Sequence, residues 1–144
     1  MAQINPYLVF NGTCEAAFNH YKSVFGGEFN DINKFKDMPV EEGCPPMSEE
    51  LGNQIMHVSY NIGSSTLMGS DANPMQGEVV FGQNISLSVN AESREETDKV
   101  FAGLSQDGQI TMPLQNTFWG AYFGMCTDKF GMMWMVNFDE NPKP

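Results

Sequence analysis

The chain has 144 residues, a size that fits one compact domain and leaves no room for separate catalytic and regulatory domains. It carries 18 Asp and Glu against 7 Lys and Arg, a formal net charge of -11, and its few cations are scattered. Nucleic acids and anionic membranes need a basic surface that neutralises phosphates, so neither is expected as a partner. Because no basic leader and no run of about 20 apolar residues is present, we expect a cytoplasmic protein.

The three cysteines, Cys14, Cys44 and Cys126, show no Cys-x-x-Cys spacing. An odd number of cysteines in this pattern fits neither a disulfide framework nor a structural zinc site. We therefore expect reduced and partly buried thiols.

The first half of the chain predicts a strand, a helix and three further strands. Thr13 is positioned to cap the helix, Glu15 in its first turn suits the helix dipole, and Gly26-Gly27 ends it. The acidic, proline-rich segment 37–53 is a lid, an arm toward a second subunit or a surface loop. In chain order, the predicted elements are a strand at 4–10, a helix at 14–25, and strands at 28–36, 54–62 and 66–71.

The same order begins again in the second half. Ser93-Arg94-Glu95-Glu96 matches a capping box, and Asp107-Gly108 stops the helix that it opens. The inward side of that helix carries Val100, Phe101 and Leu104. The strands of this half are predicted at 83–90, 109–114, 121–127 and 132–138. A repeat of about 75 residues indicates a duplicated supersecondary unit. One domain spanning 1–144 is thus predicted, with module one at about 4–71, a linker at 72–82 and module two at about 83–139.

Alternation along the strands predicts one dry face and one polar face for each half-sheet. In the last strand, Met133 and Met135 share a face with Asn137. The predicted polar sets are His57, Ser59 and Asn61, opposite Met56, Val58, Tyr60 and Ile62, and Asn84, Ser86 and Ser88, opposite Ile85, Leu87 and Val89. If both half-sheets curl the same way, their polar faces line a common concavity, which is the usual place for a ligand.

Several strings in this order resemble a known group of proteins. They are HYKSVFGGE, PYLVFNG, LMGSD, TFWG and FGMCTDKFGMMWMVN. With the doubled strand, helix and three strands, they resemble the vicinal oxygen chelate superfamily, which includes glyoxalase I, extradiol dioxygenases and bleomycin-resistance proteins. Within this superfamily they look like the PhnB-like branch, often labelled as a 3-demethylubiquinone-9 3-methyltransferase domain. The resemblance implies an α+β fold of two tandem βαβββ modules, a mixed sheet curled into a cup, and a homodimer.

Metal-using members of this superfamily hold a divalent ion with one His, Gln or Glu from each of four strands. The corresponding positions here are Asn5, Leu67 or Met68, Asn84 and Met135. None of them is a histidine or a carboxylate, and such a set would bind divalent ions poorly. We therefore expect neither a metal nor another cofactor.

The candidate ligand contacts are the residues expected in the cup or at its lip. They are Asn5, Tyr7, His57, Ser59, Asn84, Ser86, Trp119, Met133 and Met135. His57 is a candidate catalytic base or a structural histidine. Phe118-Trp119-Gly120 either stacks on a flat ligand, packs under a neighbouring subunit or lies in the core. Asp71 and Asp139 close corresponding strands, and are either paired carboxylates or repeated turn residues.

Two functions from different classes remain open. The first is a metal-free binding module, a homodimer that holds a small, partly apolar molecule. The acidic composition adds the hypothesis that this molecule is a cation. The second is an enzyme of the same superfamily, of the metal-assisted isomerase, lyase or dioxygenase type, with a non-standard site and His57 as its proton carrier. The methyltransferase of the branch label has no support in the sequence, because no glycine-rich turn follows a strand and no alternating βαβ pattern occurs.

Overall fold

The computed structural model describes residues 2–39, 43, 47–73 and 77–140. The chain divides into two compact units, residues 1–79 and 80–144, and the boundary falls inside the predicted linker at 72–82. Cys44 lies outside the described residues, as does part of the segment 37–53. In the part of the chain that is described, no helix is long and apolar enough to cross a membrane.

The first unit is a four-stranded mixed sheet with one long helix, as predicted. Its strand order is β1-β4-β3-β2, with β1 parallel to β4 and the other neighbours antiparallel. Its elements are β1 (Tyr7–Phe10), α1 (Cys14–Phe25), β2 (Phe29–Lys34), a 3-10 turn (Phe35–Asp37), α2 (Glu49–Gly52), β3 (Ile55–Ile62) and β4 (Ser65–Asp71). The prediction for β2 was too long, because the Asp37 carboxylate accepts the Lys34 N–H at 2.9 Å and turns the chain.

Helix α1 packs against one face of this sheet. The Phe18 ring meets the Phe10 ring edge to face, with 6.3 Å between centroids. Beneath Phe18 lies Gly69 of β4, where an added Cβ would stand 2.6 Å from the ring and 2.8 Å from the Leu8 carbonyl oxygen. The helix and sheet can approach this closely because residue 69 has no side chain.

The start of α1 is fixed by a residue distant in sequence. The Thr13 side chain makes no capping hydrogen bond, contrary to the prediction. Instead the buried Asp71 carboxylate, at the end of β4, accepts the backbone N–H groups of Gly12 at 2.9 Å, Cys14 at 3.0 Å and Ile55 at 2.9 Å. One side chain therefore joins the helix start to the first residue of β3.

The second unit repeats this architecture. Its strand order is β5-β8-β7-β6, again with one parallel pair, β5 with β8. Its elements are β5 (Leu87–Asn90), α3 (Arg94–Ser105), β6 (Gln109–Asn116), β7 (Ala121–Thr127) and β8 (Met133–Asp139). Strand β5 is shorter than the predicted 83–90, because its pairing with β8 begins only at Leu87, opposite Trp134. Ile85, predicted to face inward, is consequently 75% exposed.

Helix α3 packs against its sheet as α1 does against the first. Val100, Phe101 and Leu104 are buried, as predicted, and an added Cβ at Gly124 of β7 would stand 3.0 Å from the Phe101 ring. The Ser93 hydroxyl accepts the Glu96 N–H at 3.0 Å, which is the first half of the predicted capping box. The Glu96 carboxylate accepts a backbone N–H from Glu92 instead of Ser93, so the second half is displaced by one residue.

A polar cluster lies on the helix side of the second sheet, around Arg94 at the start of α3. The Arg94 guanidinium lies 3.9 Å from the centre of the Tyr122 ring, and it donates to Asn116 at 2.9 Å and to Glu140. The Tyr122 hydroxyl donates to Asp98 at 2.6 Å, and this hydrogen bond raises the pKa of Tyr122. Arg94 is thus committed to the helix side of the sheet.

The last strand of each sheet order, β2 in the first unit and β6 in the second, pairs irregularly with its neighbour. The register with β3 shifts between Phe29 and Asp31 and again between Asn33 and Lys34. The register of β6 with β7 shifts on both sides of Met112. Such shifts are β-bulges, which bend a strand and interrupt its hydrogen-bond ladder.

Burial of Cys126 predicts a loss of stability in alkaline solution. The side chain is 1% exposed, and burial, followed by nearby Asp128, raises the pKa of its thiol from 9.0 to about 11. The folded protein then keeps a proton that the unfolded chain loses, so the free energy of unfolding falls as the pH rises from 9 toward 11. Urea denaturation should show a fall in this range larger by about 2 kcal/mol in the natural protein than in Cys126→Ala. Cys14, whose pKa is also raised by burial, stays in both proteins, and parallel curves would contradict the prediction.

Candidate functional site

Each sheet has one face that points away from its helix. In the first unit, Val58 and Gly69 are paired and face α1, so the alternate residues of β3 and β4 face away. We call this surface the first open face. Its main members are Tyr7, Asp31, Asn33, His57, Ser59, Met68 and Ser70. The predicted polar side of β3, with His57 and Ser59, is confirmed.

His57 stands near the middle of the first open face. Its ring stacks on Tyr7, with 5.9 Å between centroids and 28° between planes. Asn33 lies opposite His57 in the neighbouring strand, and its amide donates to both oxygens of Asp31 at 3.1 Å. The Asn33 amide therefore orients the Asp31 carboxylate beside the stacked rings. The catalytic role of His57 stays a prediction.

In the second unit, the corresponding surface is rich in sulfur and aromatic rings. Gly124 and Val136 are paired and face α3, so the alternate residues of β7 and β8 face away from the helix. We call this surface the second open face. Its members are Ser88, Asn90, Met112, Gln115, Phe123, Met125, Thr127, Met133, Met135, Asn137 and Asp139. The prediction that Met133, Met135 and Asn137 share a face is confirmed.

Three methionines form a row across this face. Met112 is paired with Met125, and Met125 is paired with Met135, so the three side chains follow one line across β6, β7 and β8. All three are half-buried. A second row beside it is mainly polar and contains Gln115, Phe123, Asn137 and Asn90. We call the first of these lines the methionine row.

An aromatic corner ends the second open face at the turn between β6 and β7. Trp119 is 59% exposed, and its ring lies 6.2 Å from Phe123 and 5.0 Å from Phe118 between centroids. The turn is closed by Thr117, whose N–H donates to the Ala121 carbonyl at 2.8 Å. At the same end of the sheet, the Asn137 amide donates to the Asp139 carboxylate at 3.2 Å.

Residues 2–137 match the sequence model of a family described as 3-demethylubiquinone-9 3-methyltransferase. The chain belongs to this PhnB-like family. It is 34% identical to protein YjdN of Escherichia coli K12 over 139 residues, 93% of each chain. Protein PA1353 of Pseudomonas aeruginosa has 39% identity and a TM-score of 0.82 over 96% of this chain and 98% of its own. The PhnB protein of Bacillus cereus has 30% identity and a TM-score of 0.74 over 95% and 99%.

A more distant structure has the same fold. A glyoxalase/bleomycin resistance protein/dioxygenase family enzyme from Burkholderia phytofirmans is 15% identical, with a TM-score of 0.63 over 92% of this chain and 96% of its own. The PhnB-like chain thus has the predicted α+β, glyoxalase-like fold. The family's description names a methyltransferase activity. In this chain, each sheet has one parallel pair of strands and is otherwise antiparallel. They differ from the parallel, doubly wound sheet that binds dinucleotides.

The predicted ligand contacts of this PhnB-like protein lie in three settings. Tyr7, His57 and Ser59 lie on the first open face, and Met133 and Met135 lie on the second. Trp119 lies in the turn that ends the second open face. Asn5, Asn84 and Ser86 lie outside the strands, before β1 and before β5. Whether these residues contact a ligand stays a prediction.

The two aspartates have different surroundings. The Asp71 oxygens accept three backbone N–H groups, which accounts for this carboxylate as a structural tie. Asp139 is exposed and receives the Asn137 amide. Their matched positions in the sequence therefore do not correspond to matched roles.

The positions where metal-using relatives place ligands do not suit a divalent ion. Leu67 is 4% exposed and offers no donor atom, and Met68 and Met135 offer thioether sulfur, which hard ions bind poorly. Asn5 and Asn84 are exposed and lie outside the strands. Among the described residues, no group of three or more His, Cys, Asp and Glu is placed to hold a metal ion.

Proposed function

We propose that this protein binds a small, partly apolar molecule on the second open face, without a metal. The observation that carries the proposal is the methionine row, three half-buried thioether side chains in line across β6, β7 and β8. Methionine is unbranched and polarizable, so a row of such side chains adapts to apolar ligands of different shape.

The surroundings of the row fit an amphipathic ligand. On one side lie the amides of Gln115, Asn137 and Asn90, which can donate or accept hydrogen bonds. The Phe123 ring lies in the same row as these amides, and the Trp119 ring lies 6.2 Å from it in the turn that ends the face. Ligand sites commonly combine an apolar lining with a few polar groups that orient the molecule.

The proposal includes a homodimer in the cytoplasm. Support for self-association comes from exposed apolar side chains in the second unit, Ile110 at 51% and Phe118 at 98%. Support for a reducing compartment comes from Cys14 and Cys126, which are both free and buried.

The binding function predicts that a charge placed in the methionine row abolishes ligand affinity. A thermal-shift screen of partly apolar metabolites and antibiotics should give stabilising compounds, whose affinities are then measured by calorimetry. Met125→Glu buries a carboxylate against the ligand, and we expect a loss of affinity of at least about tenfold.

The matched control is Met38→Glu, because Met38 is 41% exposed and lies in the first unit. This variant carries the same change of charge and should bind like the natural protein. A screen without any stabilising compound, or equal affinity in Met125→Glu, would contradict the proposed function.

A further inference from the structure

We propose that Trp119, Phe123 and Asp139 form a subsite for the ammonium group of an organic cation at the end of the second open face. The inference rests on the proposed binding function and adds the chemical class of the ligand: an apolar body on the methionine row and a positive head at this corner. We call the three residues the ammonium corner.

The three side chains lie close together through a chain of contacts. The rings of Trp119 and Phe123 are 6.2 Å apart. Phe123 is paired with Asn137 across β7 and β8, and the Asn137 amide reaches Asp139 at 3.2 Å. Phe123 and Asp139 are therefore diagonal across the paired strands. Residues so placed lie about 7–8 Å apart, near enough for one ammonium group to contact both side chains.

The corner is held in place before a ligand arrives. Trp119 meets Phe118 at an interplanar angle of 90° and Phe123 at 62°, and the hydrogen bonds of Thr117 close the turn. The Asn137 amide holds one oxygen of Asp139 and leaves the other free to accept. An exposed indole beside an oriented carboxylate suits an ammonium group, because aromatic faces and carboxylates both attract a cation.

No protein cation competes for the carboxylate within the described part of the chain. Arg94 forms an ion pair with Glu140, the residue after Asp139, and its guanidinium lies over the Tyr122 ring on the helix side of the sheet. The ion pairs of the described residues do not include Asp139. A formal net charge of -11 further attracts cations to the protein.

The test compares probes that share an alkyl chain and carry head groups of different charge. Hexyltrimethylammonium, hexanol and heptanoate each carry a six-carbon alkyl chain and are titrated into the full-length protein by calorimetry. We expect the ammonium compound to bind at least about tenfold tighter than the alcohol and heptanoate to bind more weakly than either, because the positive charge is attracted both by the ring faces and by the carboxylate.

Variants separate the head-group site from the rest of the surface. Asp139→Asn should reduce the preference for the cation several-fold and leave the affinity for hexanol unchanged, and Trp119→Leu should weaken hexyltrimethylammonium several-fold. The matched control is Asp107→Asn, which removes the same charge at an exposed turn and keeps a residue that tolerates its positive φ of 59°. It should retain the full preference.

Each outcome decides one of the two proposals. Equal binding of cation and alcohol, or a preference that is undiminished in Asp139→Asn, overturns the ammonium corner. If hexyltrimethylammonium does not bind while screened compounds bind in a Met125-dependent way, the corner is wrong and the binding function stands. If Trp119→Leu changes the oligomeric state in size-exclusion chromatography and not the cation affinity, the exposed ring belongs to an interface and the corner is again overturned.

Discussion

Replacing Asp71 with alanine should lower the free energy of unfolding by about 3–5 kcal/mol. The carboxylate is 3% exposed and accepts the N–H groups of Gly12, Cys14 and Ile55. The substitution leaves these donors without their acceptor at the place where α1 begins and β3 starts, and buried donors without partners are costly. Urea denaturation followed by circular dichroism measures the loss.

Two further substitutions test this explanation. Asp71→Asn keeps one acceptor oxygen in the same position, so its loss should be smaller than that of alanine. Asp139→Ala removes a carboxylate that ends the last strand of the second unit but is exposed, and it should change stability by no more than about 0.5 kcal/mol. If Asp71→Ala were as mild as Asp139→Ala, the carboxylate would not be the tie that its contacts indicate.

Gly69→Ala should destabilise the protein by about 3 kcal/mol, at the upper end of the usual cost of overpacking. The new Cβ would stand 2.6 Å from the Phe18 ring and 2.8 Å from the Leu8 carbonyl oxygen. A ring can move aside, but the carbonyl belongs to the neighbouring strand β1, so the sheet itself has to shift. Thermal and urea denaturation measure the effect.

Gly124→Ala is the graded comparison in the other unit. Its new Cβ would stand 3.0 Å from side-chain atoms of Leu114 and Phe101, and 3.1 Å from the Leu114 nitrogen, so the expected loss is smaller. Adding Phe18→Leu to Gly69→Ala should recover part of the stability, because it removes one of the two obstacles. A double variant no more stable than Gly69→Ala would show that the Leu8 carbonyl alone sets the cost.

Periodicity in the sequence was sufficient for the two long helices and for the order of helices and strands along the chain. The spacing of apolar residues and Gly26-Gly27 placed α1, and the predicted strand at 121–127 has the bounds of β7. These signals are local, since each residue's side of the element follows from its neighbours in the chain. The predictions failed where a distant residue decides: Asp71 in place of Thr13 at the start of α1, and the pairing with β8, which includes β5 only from Leu87 onward.

The candidate site was predicted only in part for a similar reason. Met133 and Met135 were found because β8 alternates between them and the buried Trp134 and Val136. Met112 and Met125 were missed. Strand β7 is apolar on both faces, so alternation gives no signal there, and the two bulges of β6 break the period around Met112. The methionine row depends on strand register, which one sequence does not display.

The bulges of β2 and β6 also bear on whether the edges of the sheets can template polymerisation. A straight, regular outer strand offers free N–H and C=O groups that can template another molecule's strand and grow into a fibril. In β6 the ladder is interrupted twice, and Pro113 within the strand lacks an N–H to donate. In β2 it is likewise interrupted twice. An outer strand kinked in this way gives an incoming strand little regular backbone to match. Such a strand can therefore keep an exposed apolar side chain, Ile32 in β2 and Ile110 in β6, without offering a straight edge for pairing.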